Sequence, residues 1–154
     1  MKPPEAYGRA SAVCLCAARH PVMTQSSHHH APPTSFGLAT EPLDDSGVVV
    51  IAVEGELDLF TAPELRAMLR EHTDSVGPIR DLVVDLSGCA FVDASGCQVL
   101  LRAARRLNAV GRQLAIVNTS AANARIFSVM GLDELFPVVG SRAEAAETLR
   151  HPAR

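Results

Sequence analysis

The residues of this 154-residue chain whose types and spacing suit chemistry sit in two short stretches, Asp93-Ala94-Ser95-Gly96 and Asp58-Leu59-Phe60-Thr61. Ser95, with Gln98 three residues later, has the spacing of a capping box, in which a hydroxyl accepts from a first-turn N–H. That predicts an oxygen at the positive end of a helix, where unpaired amides and the macrodipole favour added negative charge. Asp58 leaves one predicted strand and Asp93 follows another, so both border Ser95 if those strands are neighbours. As structure alone, Ser95 is an N-cap worth about 1 kcal/mol and Asp93 a dipole partner worth about 0.3–1 kcal/mol. A capping hydroxyl on an exposed turn also remains open to modification, and the two roles are compatible.

Other candidates carry less. Cys89 and Cys97 fall in the predicted domain, but His72 and His151 stand at no recognisable base position. Buried free thiols are the expectation for both, and a thiol enzyme built on Cys97 is the alternative. Cys14-x-Cys16 with His28, His29 and His30 could be a metal or redox fragment, but it lacks the ligand geometry of structural zinc, and no metal or cofactor is expected. No glycine-rich loop is present to cradle phosphates. A net charge of −3 argues against a broad nucleic-acid surface. No Trp and a single Tyr leave no aromatic platform for bases. No apolar run approaches the roughly 18–20 residues that cross a bilayer. The expectation is a chain in a reducing cytoplasm, with neither nucleic acid nor membrane as direct partner.

The elements that must position the two stretches follow from patterning. Residues 1–34 mix Pro3-Pro4, Pro21, Pro32-Pro33, polar residues and histidines without a sustained period, and are expected to be a disordered leader. Ala10 to Ala18 follows Arg9 as a secretory signal would, but Glu5 and the small residues of its core argue against one. Met23 is a further candidate start. The domain is expected over 35–150, with 151–154 a tail.

Phe36 to Leu43 is an edge strand interrupted by Pro42, and Asp44-Asp45-Ser46-Gly47 a turn. Val48 to Val53 is a strand paired with the first as a hairpin, and residues 54–58 lead out of it. Thr61-Ala62-Pro63-Glu64 is a second capping box, opening a helix to about Asp74 that Gly77-Pro78 ends. Leu82, Val83, Val84 and Leu86 form a buried strand, punctuated by Ser87-Gly88, after which Phe91 and Val92 re-enter apolar surroundings. The helix after Ser95 turns Gly96, Val99, Leu100, Ala103 and Leu107 inward. Cys97 and Leu101 lie at its flank, Gln98, Arg102, Arg105 and Arg106 outward, and Gly111 caps its end. Gln113 to Asn118 is a strand, Thr119 or Ser120 caps a helix stopped by Gly131, and Leu135 to Val139 is a last strand. Ser141-Arg142-Ala143-Glu144 opens a final helix to about Arg150. Strands alternating with helices predict an α/β fold with a small mixed, mainly parallel sheet and an N-terminal antiparallel hairpin.

Two stretches resemble a known family. DLSGCAFVDASGCQVLL is similar to the central motif of STAS domains (sulfate transporter and anti-sigma factor antagonist), particularly the bacterial anti-sigma factor antagonists. Gly55 to Leu65 is similar to the motif with which that family passes from strand to helix. The likeness runs from about Phe36 to Arg150 and implies helices packed chiefly on one face of the sheet. It implies that Ser95 is the residue phosphorylated by a partner kinase. It further implies that the unphosphorylated chain, not itself an enzyme, binds an anti-sigma factor serine kinase with a histidine-kinase-like ATPase fold, freeing a sigma factor. A phosphatase would reset it. The expected partner surface is Asp58, Thr61, Asp93, Ala94, Ser95, Gly96, Gln98, Leu101 and Arg102. The same family also implies an alternative, an accessory subunit of a transporter or signalling assembly without phosphotransfer. The long leader and Cys97, where a larger aliphatic residue is frequent, depart from the family pattern.

Overall fold

The computed structural model describes residues 35–43, 47–74 and 80–151. The expected leader over 1–34, the turn residues 44–46, the Gly77-Pro78 break and the last three tail residues lie outside the described residues. Five strands form one sheet in sequence order: β1 (Gly37–Pro42), β2 (Val49–Leu57), β3 (Leu82–Val92), β4 (Leu114–Val117) and β5 (Val138–Val139). β1 pairs antiparallel with β2, and every later pairing is parallel, each reached through a helix. The helices are α1 (Ala62–Thr73), α2 (Ala94–Ala109), α3 (Ala121–Val129) and α4 (Arg142–Arg150). The expected mixed, mainly parallel sheet with a leading hairpin is what forms.

The central strands lack hydrophobic alternation because both faces are covered. On one face Ile51, Val53, Leu57, Leu82, Val84, Leu86 and Ile116 pack with Leu65 and Leu69 of α1, Leu100 and Leu107 of α2 and Phe127 of α3. On the other, Val50, Val83, Ala115 and Val117 meet Ala145 and Leu149 of α4. Three helices thus share one face and α4 alone takes the other. Each fully buried Leu, Ile or Val contributes about 1.5–3 kcal/mol.

Behind the sheet Arg142 donates from Nε to Asp85 and from a terminal nitrogen to Glu41, joining α4, β3 and β1. Burial pushes the Asp85 pKa up, but hydrogen bonds from Ser87 and the Arg142 guanidinium outweigh it and hold the carboxyl below its ordinary value.

Three expectations need correction. Ser87-Gly88 does not break the strand; β3 runs unbroken through it. The β2–β3 register slips twice, from Ala52↔Asp85 to Glu54↔Gly88 and from Gly55↔Cys89 to Glu56↔Phe91, each time with one extra residue on β3. Gly88 sits at the first bulge because a Cβ there would lie 3.1 Å from Glu54 Cγ and 3.3 Å from the Val53 carbonyl. Likewise β2 continues to Leu57 instead of ending at Val53, with Gly55 at φ 87° accommodating the second irregularity. Finally, β5 is only Val138–Val139, since Leu135 and Phe136 donate back to the Leu132 carbonyl in a turn. The two bulges advance the end of β3 against β2, so that Asp93 N–H reaches the Leu57 carbonyl at 3.0 Å.

Candidate functional site

The ends of β2 and β3 carry the two loops of interest side by side. In the first, Asp58 Oδ1 accepts from the N–H groups of Phe60 (2.9 Å) and Thr61 (3.1 Å). Thr61 Oγ1 accepts from Asp58 N–H at 2.9 Å and donates to the Glu56 carbonyl at 2.8 Å. These bonds, the Thr61 N–H foremost, hold the Asp58 carboxyl below its ordinary pKa. Thr61 therefore closes the loop and makes no side-chain cap of α1, so the expected capping box there does not form.

In the second loop the cap is Asp93, not Ser95. Asp93 is extended (φ −96°, ψ −177°), and its Oδ1 accepts from the N–H groups of Ser95 at 2.7 Å and Gly96 at 2.9 Å. A carboxylate two residues earlier satisfies both orphan amides with full negative charge, which a neutral hydroxyl cannot match. Ser95 thus lies within the first turn of α2, half-buried, and among the described residues its hydroxyl has no hydrogen-bond partner. The second Asp93 oxygen accepts from Leu59 N–H at 3.1 Å, tying the loops together. Asp58, Asp93 and Ser95 are brought to one end of the sheet.

Gly96 is buried against Leu57. A Cβ on it would fall 2.7 Å from Leu57 Cγ and 3.0 Å from the Leu57 carbonyl, so this approach of helix to strand requires glycine. Val99, Leu100, Ala103 and Leu107 face inward as expected. Cys97, expected at the flank, is fully covered in the core. Burial and then the Asp93 charge push its thiol up to about 11, so it stays protonated and unreachable at neutral pH, and a thiol enzyme has no nucleophile there. Ala94, Gln98 and Arg102 are exposed and Leu101 is half-buried, giving α2 a surface leading away from Ser95.

Sequence reasoning missed an apolar rim. Leu59 and Phe60, between Asp58 and Thr61, are 65% and 83% exposed, and Phe91 is 45% exposed instead of joining the core. The available signal was two bulky residues inside a turn, with no helical or strand period to bury them. Among the described residues no cluster of three His, Cys, Asp or Glu side chains is arranged to hold a metal ion, and no helix is long and apolar enough to cross a membrane.

A model of the STAS domain matches residues 41–145. The chain belongs to the STAS domain family. It is 31% identical over 88 residues to an anti-sigma-B factor antagonist of Staphylococcus aureus, covering 57% of this chain and 80% of that one. Among solved structures, this STAS domain is similar to an anti-sigma factor antagonist of Mycobacterium paratuberculosis. There the identity is 30%, the TM-score 0.66 and the coverage 75% and 95% of the two chains. It is also similar to the Bacillus cell fate determinant SpoIIAA in its phosphorylated form, at 25% identity and TM-score 0.56, covering 75% of this chain and all of that one.

Proposed function

We propose that this STAS domain is an anti-sigma factor antagonist switched at Ser95. Unphosphorylated, the domain over 35–150 docks on a kinase-type anti-sigma factor in the cytoplasm and releases the sigma factor. The partner then transfers the terminal phosphoryl group of Mg-ATP to Ser95. The Ser95 oxygen bonds to phosphorus, the bond to the ADP oxygen breaks, and the hydroxyl proton is lost to base. A phosphatase restores the hydroxyl.

The observation that carries this reading is the Ser95 hydroxyl in a helix's first turn, without a hydrogen-bond partner among the described residues, with Leu59, Phe60 and Phe91 exposed in the adjoining segments. The names of the antagonists it resembles support it, as does a relative known in a phosphorylated form. Phosphate would bring about −1.5 to −2 charge at neutral pH. The helix terminus favours that charge and Asp93 opposes it, each by about 1 kcal/mol or less, so the fold stays intact. At a docked surface the same charge left unpaired costs about 2–5 kcal/mol, which weakens binding by more than an order of magnitude.

The test is incubation with the cognate kinase-type anti-sigma factor and Mg-ATP, followed by mass mapping. One phosphate on Ser95, abolished in Ser95→Ala, is expected, with the Ser95→Ala protein remaining bound. Phosphate on another residue, or binding indifferent to phosphorylation, would overturn the assignment.

A further inference from the structure

A groove between α1 and α2 is not used by the Ser95 turn. It has a volume of about 350 Å³ and is bounded by Arg66 to Thr73 on α1 and Val99 to Arg106 on α2. These are two turns of each helix, about 10 Å. Leu69, Val99 and Ala103 supply apolar surface within it. Five arginines line it: Arg66, Arg70, Arg102, Arg105 and Arg106. Asp74 pairs with Arg70 and Arg106, while among the described residues Arg66, Arg102 and Arg105 have no ion pair or hydrogen bond. A chain of net charge −3 has gathered positive charge here against its overall sign.

We propose that this groove docks an acidic, amphipathic segment of a protein partner, separately from the Ser95 turn. Guanidinium forks pair with carboxylates in bidentate geometry, and the apolar surface takes aliphatic side chains placed between them. A nucleotide fits less well, because no aromatic ring and no glycine-rich backbone lines the groove to hold base or phosphate. The chain's own first 34 residues carry one acidic residue, Glu5, against Lys2, Arg9 and Arg19, and so lack the charge that complements the groove. Arg102 lies seven residues beyond Ser95 and so on the same side of α2, about 10 Å further along. A partner resting on the Ser95 turn can therefore reach the groove, yet the groove does not depend on the state of that serine. Two such contacts on one partner reinforce each other through effective concentration.

The probe is a fluorescein-labelled amphipathic peptide of about three helical turns, carrying Glu on one side and Leu on the other, titrated into the full chain by anisotropy. Saturable binding is expected, weakened about tenfold or more in Arg66→Glu/Arg102→Glu and by raising salt to about 0.5 M. It should be unchanged in Ser95→Asp and in Arg125→Glu, a surface control with the same charge change per substituted position. Circular dichroism checks that each variant is folded. Binding that survives the double substitution, that Arg125→Glu weakens equally, or that ATP or a single-stranded RNA displaces better than excess unlabelled peptide, would overturn the proposal. Loss in Ser95→Asp would overturn its independence from the switch, whereas phosphotransfer to Ser95 is read separately by mass.

Discussion

Asp93 caps α2 with one carboxylate oxygen and holds the N–H of Leu59 on the other, 3.1 Å away. A single side chain therefore sets both the helix that carries Ser95 and the loop that presents Leu59 and Phe60. Asp93→Ala is expected to cost about 1–2 kcal/mol in chemical denaturation and to broaden the amide signals of residues 58–61 in NMR spectra. Asp93→Asn keeps one acceptor oxygen, so it should retain the cap and lose order in the Leu59 loop.

Gly96→Ala sets two effects against each other. Alanine gains about 1 kcal/mol in helix propensity over glycine. The added methyl would meet Leu57 at 2.7 Å and its carbonyl at 3.0 Å, and overpacking of this kind costs about 1–3 kcal/mol. The side chain of Leu57 can yield, but its carbonyl is fixed by the Asp93 N–H. The net change expected in equilibrium unfolding is a loss of stability.

Phe60→Ala separates binding from folding. At 83% exposure the ring contributes little to the core, so stability should move by no more than about 0.5 kcal/mol. Affinity for the proposed anti-sigma partner should fall by about 2 kcal/mol or more, measured by calorimetry with the unphosphorylated protein.

The pair of Asp85 and Arg142 gives a pH signature. Asp85 titrates below its ordinary value of 3.8 in the folded chain, so its contribution is complete above that value. As pH falls through the lower folded pKa, the contribution is lost. Arg142→Met should therefore cost about 1–3 kcal/mol near neutral pH, with the gap from wild type closing in acid. A gap constant down to pH 2 would contradict this.

Much of this arrangement was legible in the sequence. Runs such as Leu82 to Val84 and Leu114 to Val117 are apolar on both faces, Ser141 accepts from the third helical residue as its spacing predicts, and of Thr119 and Ser120 it is Ser120 that caps α3. What escaped depended on contacts from outside the local stretch. Asp93 and Ser95 are both good cap residues, and the Leu57 carbonyl and Leu59 N–H, from the neighbouring strand and loop, hold Asp93 in place as the cap. Ser87-Gly88 has turn composition, while the crossing Glu54 side chain that makes it a bulge lies on another strand. Leu59 and Phe60 are bulky residues in a turn with no period to bury them, a signal of exposure, but how far they stand out is set by the loop that Asp93 ties down.

The sheet's two margins are blunt. β1 ends in Pro42, which has no N–H to offer a neighbouring chain, and β5 spans two residues. For the partner switching proposed above, polymerising through its own backbone would be a liability. Here the blunted borders discourage stacking of copies, leaving each one available to whichever companion arrives at the far end of its strands.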